Sequence, residues 1–263
     1  MKALTGLDLS SLEALALALR TGRLRTPFSP AALARHLTPS ADLQAVADLL
    51  NTLAIDGGKP KLLARFVQAL VAERRASRQR AADRVELVWT GPEPVAGLRQ
   101  TAAVCAWLVD QAVEQLTVVT YAVWPGSLVA ALAARMAAVP ELSVRLLLNV
   151  HHDDLGSGPR AAELSRWAED FRSRTWPHDQ VPEVWFDPRS LAQRSRDRAV
   201  LHAKCILVDD RLAFISSANL TDKAHRKNIE AGVLLRDAQL TKDLRGRFDE
   251  LVARGILERL PGG

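Results

Sequence analysis

From residue 85 onward the chain alternates short apolar strand-like runs with longer helical ones. No other feature restricts its fold as much. Residues 85–89, 116–123 and 142–150 are rich in Val, Leu and Thr, and amphipathic stretches at 98–115 and 128–138 separate them. A strand–helix–strand–helix–strand order predicts right-handed crossovers and a sheet with parallel strands covered by helices. Pro140 ends the second helical stretch, and a charged helix at 160–174, a short strand at 184–186 and a closing helix at 240–251 follow. The expected class is α/β, a mixed sheet with helices on both faces.

Residues 1–82 read differently. Leu9, Leu12, Leu15 and Leu19 recur at helical spacing, and Ser29-Pro30 has the form of an N-cap followed by Pro at the first helical position of a segment ending at Leu37. Ser40 is the expected cap of a helix over 41–53, Gly57-Gly58 breaks the chain, and a further helix runs from Lys61 to about Arg75. The helices between Ser29 and Leu53 read as a packed pair, with a DNA-reading helix-turn-helix as the alternative. The run from Glu73 to Arg84 holds five Arg against two acids. It reads as a solvated helix end or linker, with phosphate contact as the alternative. The domain boundary is expected here, giving a helical N-terminal region at 1–82 and a catalytic domain at 83–263.

The chemistry concentrates between Val200 and Glu230. An alternating apolar run over 200–208, the polar turn Asp209-Asp210-Arg211 and a second apolar run over 212–215 predict a β-hairpin. On a strand spanning 200–208, His202 and Lys204 share a face, and Cys205 points the other way. Ser217 and Asn219 lie just past the second strand, and Glu230 opens a further apolar run over 231–235. One imidazole, one ammonium, one hydroxyl, one carboxamide and one carboxylate suit attack on a phosphodiester. A neutral imidazole is not repelled by the anionic substrate. Lys204 and Asn219, helped by Ser217, can bind the non-bridging oxygens, where charge grows in the transition state. Glu230 can accept the second ring N–H of His202 and so set its tautomer. No metal or other cofactor is needed for these steps.

The spacing His202-x-Lys204-x4-Asp209, then six residues, then Ser216-Ser217-Ala218-Asn219, resembles the histidine–lysine–aspartate signature of the phospholipase D superfamily. Ser216 stands where that pattern usually has Gly. Glu230 falls where the single-motif nucleases of the superfamily place an orienting carboxylate. The resemblance implies that His202 is the nucleophile of a phosphohistidine intermediate and that Lys204, Ser217 and Asn219 bind phosphate. Asp209 is expected to hold the turn. His225-x-Lys227 does not repeat the motif, because position 232 is Gly and not Asp. A single motif supplies one imidazole, and one imidazole cannot attack phosphorus and protonate the leaving oxygen together. A symmetric homodimer with the active site at its interface is therefore expected.

Charge supports an anionic partner. The chain of 263 residues carries a net charge of +5 and a pI near 9.6. Arg194, Arg196 and Arg198 precede His202, and Lys223, Arg226 and Lys227 follow the hairpin, positions suited to neighbouring phosphates of a polymer. Trp176, Trp185 and Phe186 read as core, with base stacking as the alternative. The run His151-His152-Asp153-Asp154 at a strand end reads as a polar loop bordering the site, with a metal site as the alternative. Cys105 and Cys205 form no disulfide framework. No apolar run approaches the roughly eighteen residues of a membrane span. Asp8 and Glu13 mark the start as an amphipathic helix and not a signal peptide. The expectation is a cytoplasmic, metal-independent nuclease acting on DNA over RNA. A likeness over Leu87 to Glu93 to an anti-phage defence component implies a defence role with other subunits as partners. Phospholipid hydrolysis and non-catalytic nucleic-acid binding are the alternatives.

Overall fold

The computed structural model of the chain describes residues 2–38, 41–176, 178–219, 221–222 and 227–262. It divides into two compact units, Met1–Ala82 and Asp83–Gly263.

The first unit is helical: α1 (Lys2–Thr5), α2 (Leu9–Arg20), α3 (Pro30–Leu33), α4 (Leu43–Ile55) and most of α5 (Pro60–Arg84). Each cap is a short polar side chain that accepts an otherwise unpaired N–H. Asp8 takes that of Ser11 at 2.7 Å, Ser29 that of Ala32 at 3.2 Å and Asp42 that of Ala45 at 3.0 Å. Leu12, Leu15, Leu19, Leu33, Val46, Leu50 and Val67 fill the core. Three expectations change. The helix after Ser29 ends at Leu33 and not Leu37, and turns follow it. Asp42 is the cap of α4; the expected cap, Ser40, lies outside the described residues. The helix expected to end near Arg75 continues to Arg84 as α5, and the Arg-rich run is its largely exposed end. It contains no Gly or Pro, and its Arg, Ala, Glu and Gln are good helix formers.

The second unit is built on one eight-stranded mixed sheet. Its strands are β1 (Val85–Thr90), β2 (Gln115–Thr120), β3 (Ser143–Leu148), β4 (Glu183–Phe186), β5 (Cys205–Val208), β6 (Leu212–Ser216), β7 (Glu230–Leu235) and β8 (Glu258–Arg259), in the order β1-β7-β6-β5-β2-β3-β4-β8. Parallel strand pairing is confined to β2 with β3 and β3 with β4. This corrects the placement of the first strand. β1 lies at the sheet edge, antiparallel to β7, and not beside β2. Its burial explains why: Val88 and Thr90 are buried while Val85 and Leu87 on the other face are half exposed. A strand covered on one face fits an antiparallel margin, whereas β2 and the end of β3 are buried on both.

Helices α6 (Thr101–Gln111), α7 (Ser127–Ala138) and α8 (Arg160–Asp170) cover one face of the sheet, and α9 (Ala238–Ala253) covers the other. The strands sort their side chains by period two. Val118, Leu146, Leu148, Ile206 and Val208 meet Val104, Leu108, Leu132 and Leu164. Val119, Leu147, Cys205 and Leu207 meet Phe248 and Leu257. Trp176 and Phe186 are fully buried core residues, and Trp185 packs against the α9 side.

Candidate active site

The sheet topology brings the chemical residues to one end. β2 and β3 end there, β5 begins there antiparallel to β2, β6 ends there and β7 begins there. The register runs Val119 to Cys205, Cys205 to Ile215 and Ser216 to Gly232, and Thr90 of β1 faces Glu230. Every strand thus hands its terminal residues to the same edge, the carboxyl end of the parallel strands, where open α/β sheets bind ligands.

The hairpin is shorter than its pattern suggests. β5 starts at Cys205, so His202 and Lys204 lie in the segment leading into it and not on a strand spanning 200–208. That segment is tied down by its backbone. Leu201 N donates to Asn149 Oδ1 at 3.3 Å, and Ser216 N donates to the Lys204 carbonyl at 3.0 Å. The His202 side chain is exposed and its ring packs against Tyr121, with centroids 5.2 Å apart and planes at 62°. Lys204 Nζ donates to the His202 carbonyl at 2.7 Å and lies 5.8 Å from the centre of the Tyr121 ring. Burial pushes the Lys204 ammonium below its ordinary pKa, and the nearby Glu230 charge pulls it partly back.

Glu230 is buried, and both carboxylate oxygens have partners. Ser217 Oγ donates to Oε2, and Asn228 Nδ2 donates to Oε1 at 3.0 Å. Ser217 Oγ also accepts from Ala231 N at 3.2 Å. The expected hydrogen bond from the His202 ring to Glu230 is not formed among the described residues. Tyr121 supports the ring instead, because His202 sits ahead of the strand and not on its inner face. The Ser217 hydroxyl, expected to face phosphate, is likewise occupied. Asn219 follows, and its Oδ1 is buried without a hydrogen-bond partner among the described residues. Ser216, which stands where Gly is usual, has no left-handed backbone to demand glycine, and its Oγ accepts from Ala218 N at 3.0 Å.

Asp209 lies at the opposite end of β5. Its carboxylate accepts backbone N–H groups of Val113, Glu114 and Gln115 at 3.0, 2.9 and 2.9 Å and pairs with Arg211 at 3.3 Å. Burial pushes its pKa up, but the three N–H donors and Arg211 outweigh this, and the carboxyl stays below its usual range. Asp209 and Asp210 both adopt left-handed backbone, with φ of 47° and 50°, which Asp tolerates better than most residues. Asp209 therefore pins the hairpin turn to the start of β2. The Cys205 thiol is packed in the α9-side core, and burial pushes its pKa up to about 12.

The basic residues are less gathered. Arg194 and Arg196 are exposed, with Arg196 3.8 Å from Asp197, while Arg198 Nε donates to the Ala192 carbonyl at 2.8 Å. Lys227 is exposed in the turn before β7. Lys223, His225 and Arg226 lie outside the described residues. The polar run at 151–154 is a loop after β3, and no group of three or more metal-ligating side chains occurs among the described residues. His151 of that run meets Tyr121 edge to face at 4.8 Å. Tyr121 and Asn228 are the site neighbours that the motif does not reveal. Tyr121 had one signal, as the chain's single tyrosine placed at the end of a buried strand. Asn228 had none.

Residues 107–252 match the family model described as cardiolipin synthase, PLD-like domain. The chain is 28% identical over 198 residues to the DISARM protein DrmC of Bacillus paralicheniformis, covering 74% of each. Among solved structures it is similar to the phospholipase D family member Nuc of Salmonella typhimurium, with 18% identity, TM-score 0.41 and coverage of 63% of this chain and 91% of that one. NucT of Helicobacter pylori gives 12% identity, TM-score 0.43 and coverage of 64% and 95%. Phosphatidylserine synthase of Haemophilus influenzae gives 20% identity, TM-score 0.43 and coverage of 67% and 40%.

Proposed function

The chain belongs to the phospholipase D-like domain family, and on that premise we propose that it is a phosphodiesterase that cleaves nucleic acid through His202. The observation that carries this is an exposed His202 imidazole beside a partly desolvated Lys204 ammonium, at the strand ends where Asn219 and Glu230 also lie. A ring nitrogen of His202 attacks phosphorus, the P–N bond forms and the P–O bond to the leaving nucleotide breaks. Lys204 and the Asn219 carboxamide hold the non-bridging oxygens as negative charge builds on them. Glu230 acts through Ser217 and through its charge on Lys204. Water then attacks the phosphohistidine, its proton passes to the group that protonated the leaving oxygen, the P–N bond breaks and the imidazole is regenerated.

The departing oxygen needs a proton that the attacking imidazole cannot supply. The economical donor is the His202 of a second copy, and the working unit is a homodimer with the site at its interface. The net charge of +5 favours a polyanion, and exposed Arg194, Arg196 and Lys227 suit the flanking phosphates of a nucleic acid. The likeness to DrmC supports a cytoplasmic role in anti-phage defence, with other DISARM subunits as partners. No helix among the described residues is long and apolar enough to cross a membrane.

The test is incubation of the wild type and His202→Ala with labelled single- and double-stranded DNA and RNA, each with and without EDTA. Cleavage that resists EDTA and disappears in the variant is the expected result. Cleavage that requires divalent ions, or that survives the substitution, overturns the mechanism.

A further inference from the structure

A cavity of about 770 Å³ opens next to His202 and shares the Tyr121 ring with it. It lies between the loop after β2 and the loop after β3, and its walls include Trp124, His151, Asp153, Asp154 and Trp167. Its volume is in the range of pockets that hold small organic groups. The aromatic side chains differ in how committed they are. Tyr121 is occupied by His151, His202 and Lys204. Trp167 stacks on Phe171, with centroids 5.7 Å apart and planes at 9°, so one of its faces is covered. Trp124 is 64% exposed and has no ring partner among the described residues. Trp124 thus offers an uncovered ring face within a cavity that adjoins His202 through Tyr121.

The charges say what a ligand of this cavity is not. Asp153 and Asp154 are exposed carboxylates lining the cavity, so a phosphate group is repelled beside them. Arg174, which also lines the cavity, disfavours a trimethylammonium or other fixed cation. A flat, neutral ring bearing hydrogen-bond donors satisfies both requirements: it stacks on Trp124 and donates an exocyclic amine to a carboxylate. We infer that this cavity is a nucleobase subsite, which receives an unstacked base adjoining the phosphodiester held at His202. The inference rests on the nucleic-acid reading above and narrows it. A base inside a duplex has both faces covered and cannot enter, so the substrate is single-stranded or locally opened. Amine-bearing bases, adenine, cytosine and guanine, are preferred over thymine.

The experiment measures anisotropy of labelled oligonucleotides on the full chain carrying His202→Ala, which keeps the strands intact. Oligo-dC, oligo-dT and an abasic strand of equal length are compared, with and without Trp124→Ala, and with and without Asp153→Asn plus Asp154→Asn. The expected result is a loss of about tenfold in affinity when bases are removed. Trp124→Ala should produce the same loss on oligo-dC and none on the abasic strand, and the double Asn variant should equalise oligo-dC and oligo-dT. Trp124 is largely solvent-exposed, so its removal leaves the core intact. Equal affinity for abasic and base-bearing strands overturns the subsite while leaving polymer binding in place. So does undiminished base discrimination after Trp124→Ala, or displacement of oligo-dC by phosphocholine but not by cytidine monophosphate. Failure of every strand to bind overturns the nucleic-acid reading itself.

Discussion

Ser217 donates its hydroxyl proton to the buried carboxylate of Glu230. The serine of the motif and the carboxylate downstream of it are thus one unit, and the same hydroxyl oxygen accepts from Ala231 N. Ser217→Ala deprives a buried carboxylate of a donor and a backbone N–H of an acceptor. The expected cost is about 1–3 kcal/mol of stability, because hydrogen bonds to buried charge are expensive to leave unmade. Urea unfolding of the variant against the wild type measures it, and an unchanged midpoint would show that the pair does not stabilise the fold.

Glu230 also sets the charge around Lys204. Burial lowers the Lys204 pKa and Glu230 raises it. Glu230→Gln removes the raising influence only, so the ammonium is lost at a lower pH. The basic limb of kcat/KM against pH therefore moves to lower pH in the variant. A limb that stays in place, or moves up, contradicts the role given to Lys204.

His202→Ala is expected to reduce turnover of a simple aryl phosphodiester by roughly a thousandfold or more, as removal of a nucleophile does. Wild-type protein quenched during turnover should carry an acid-labile phosphoryl group on His202, read by mass spectrometry of the labelled peptide. Label on another residue would reassign the nucleophile.

Asp209 makes a separate, structural prediction. Asp209→Asn weakens three backbone hydrogen bonds at the start of β2, at a cost of about 1.5–3 kcal/mol. The pH dependence has a definite sign. The folded-state pKa lies below the ordinary aspartate value, so the stabilisation is fully present above about pH 4. It is lost as the pH falls through the lower folded value. Stability of the wild type should drop over that acid range more steeply than that of the variant, and parallel curves would remove Asp209 from this role.

Sedimentation equilibrium tests the shared proton donor. A dimer is expected at working concentrations, and mixing wild type with His202→Ala subunits should lower activity more than in proportion to dilution. A fully active monomer would require the second acid to come from the same chain.

The helices of residues 1–82, the hairpin turn and the family were legible in the residues, because caps, period-two burial and motif spacing are local properties. Ser29 caps where its neighbours in the chain dictate, and His202, Lys204 and Asn219 keep a spacing that no folding step alters. The position of β1, the start of β5 at Cys205 and the company kept by Glu230 were not legible. Which strand lies beside which depends on the area each face buries against distant helices, and a strand pattern is the same for an edge as for a centre. Tyr121 reaches His202 only because β2 and β5 are hydrogen-bonded neighbours, although 81 residues of sequence separate the two rings. Local chemistry was thus written in the chain, and the choice of neighbours was made by burial across the whole sheet.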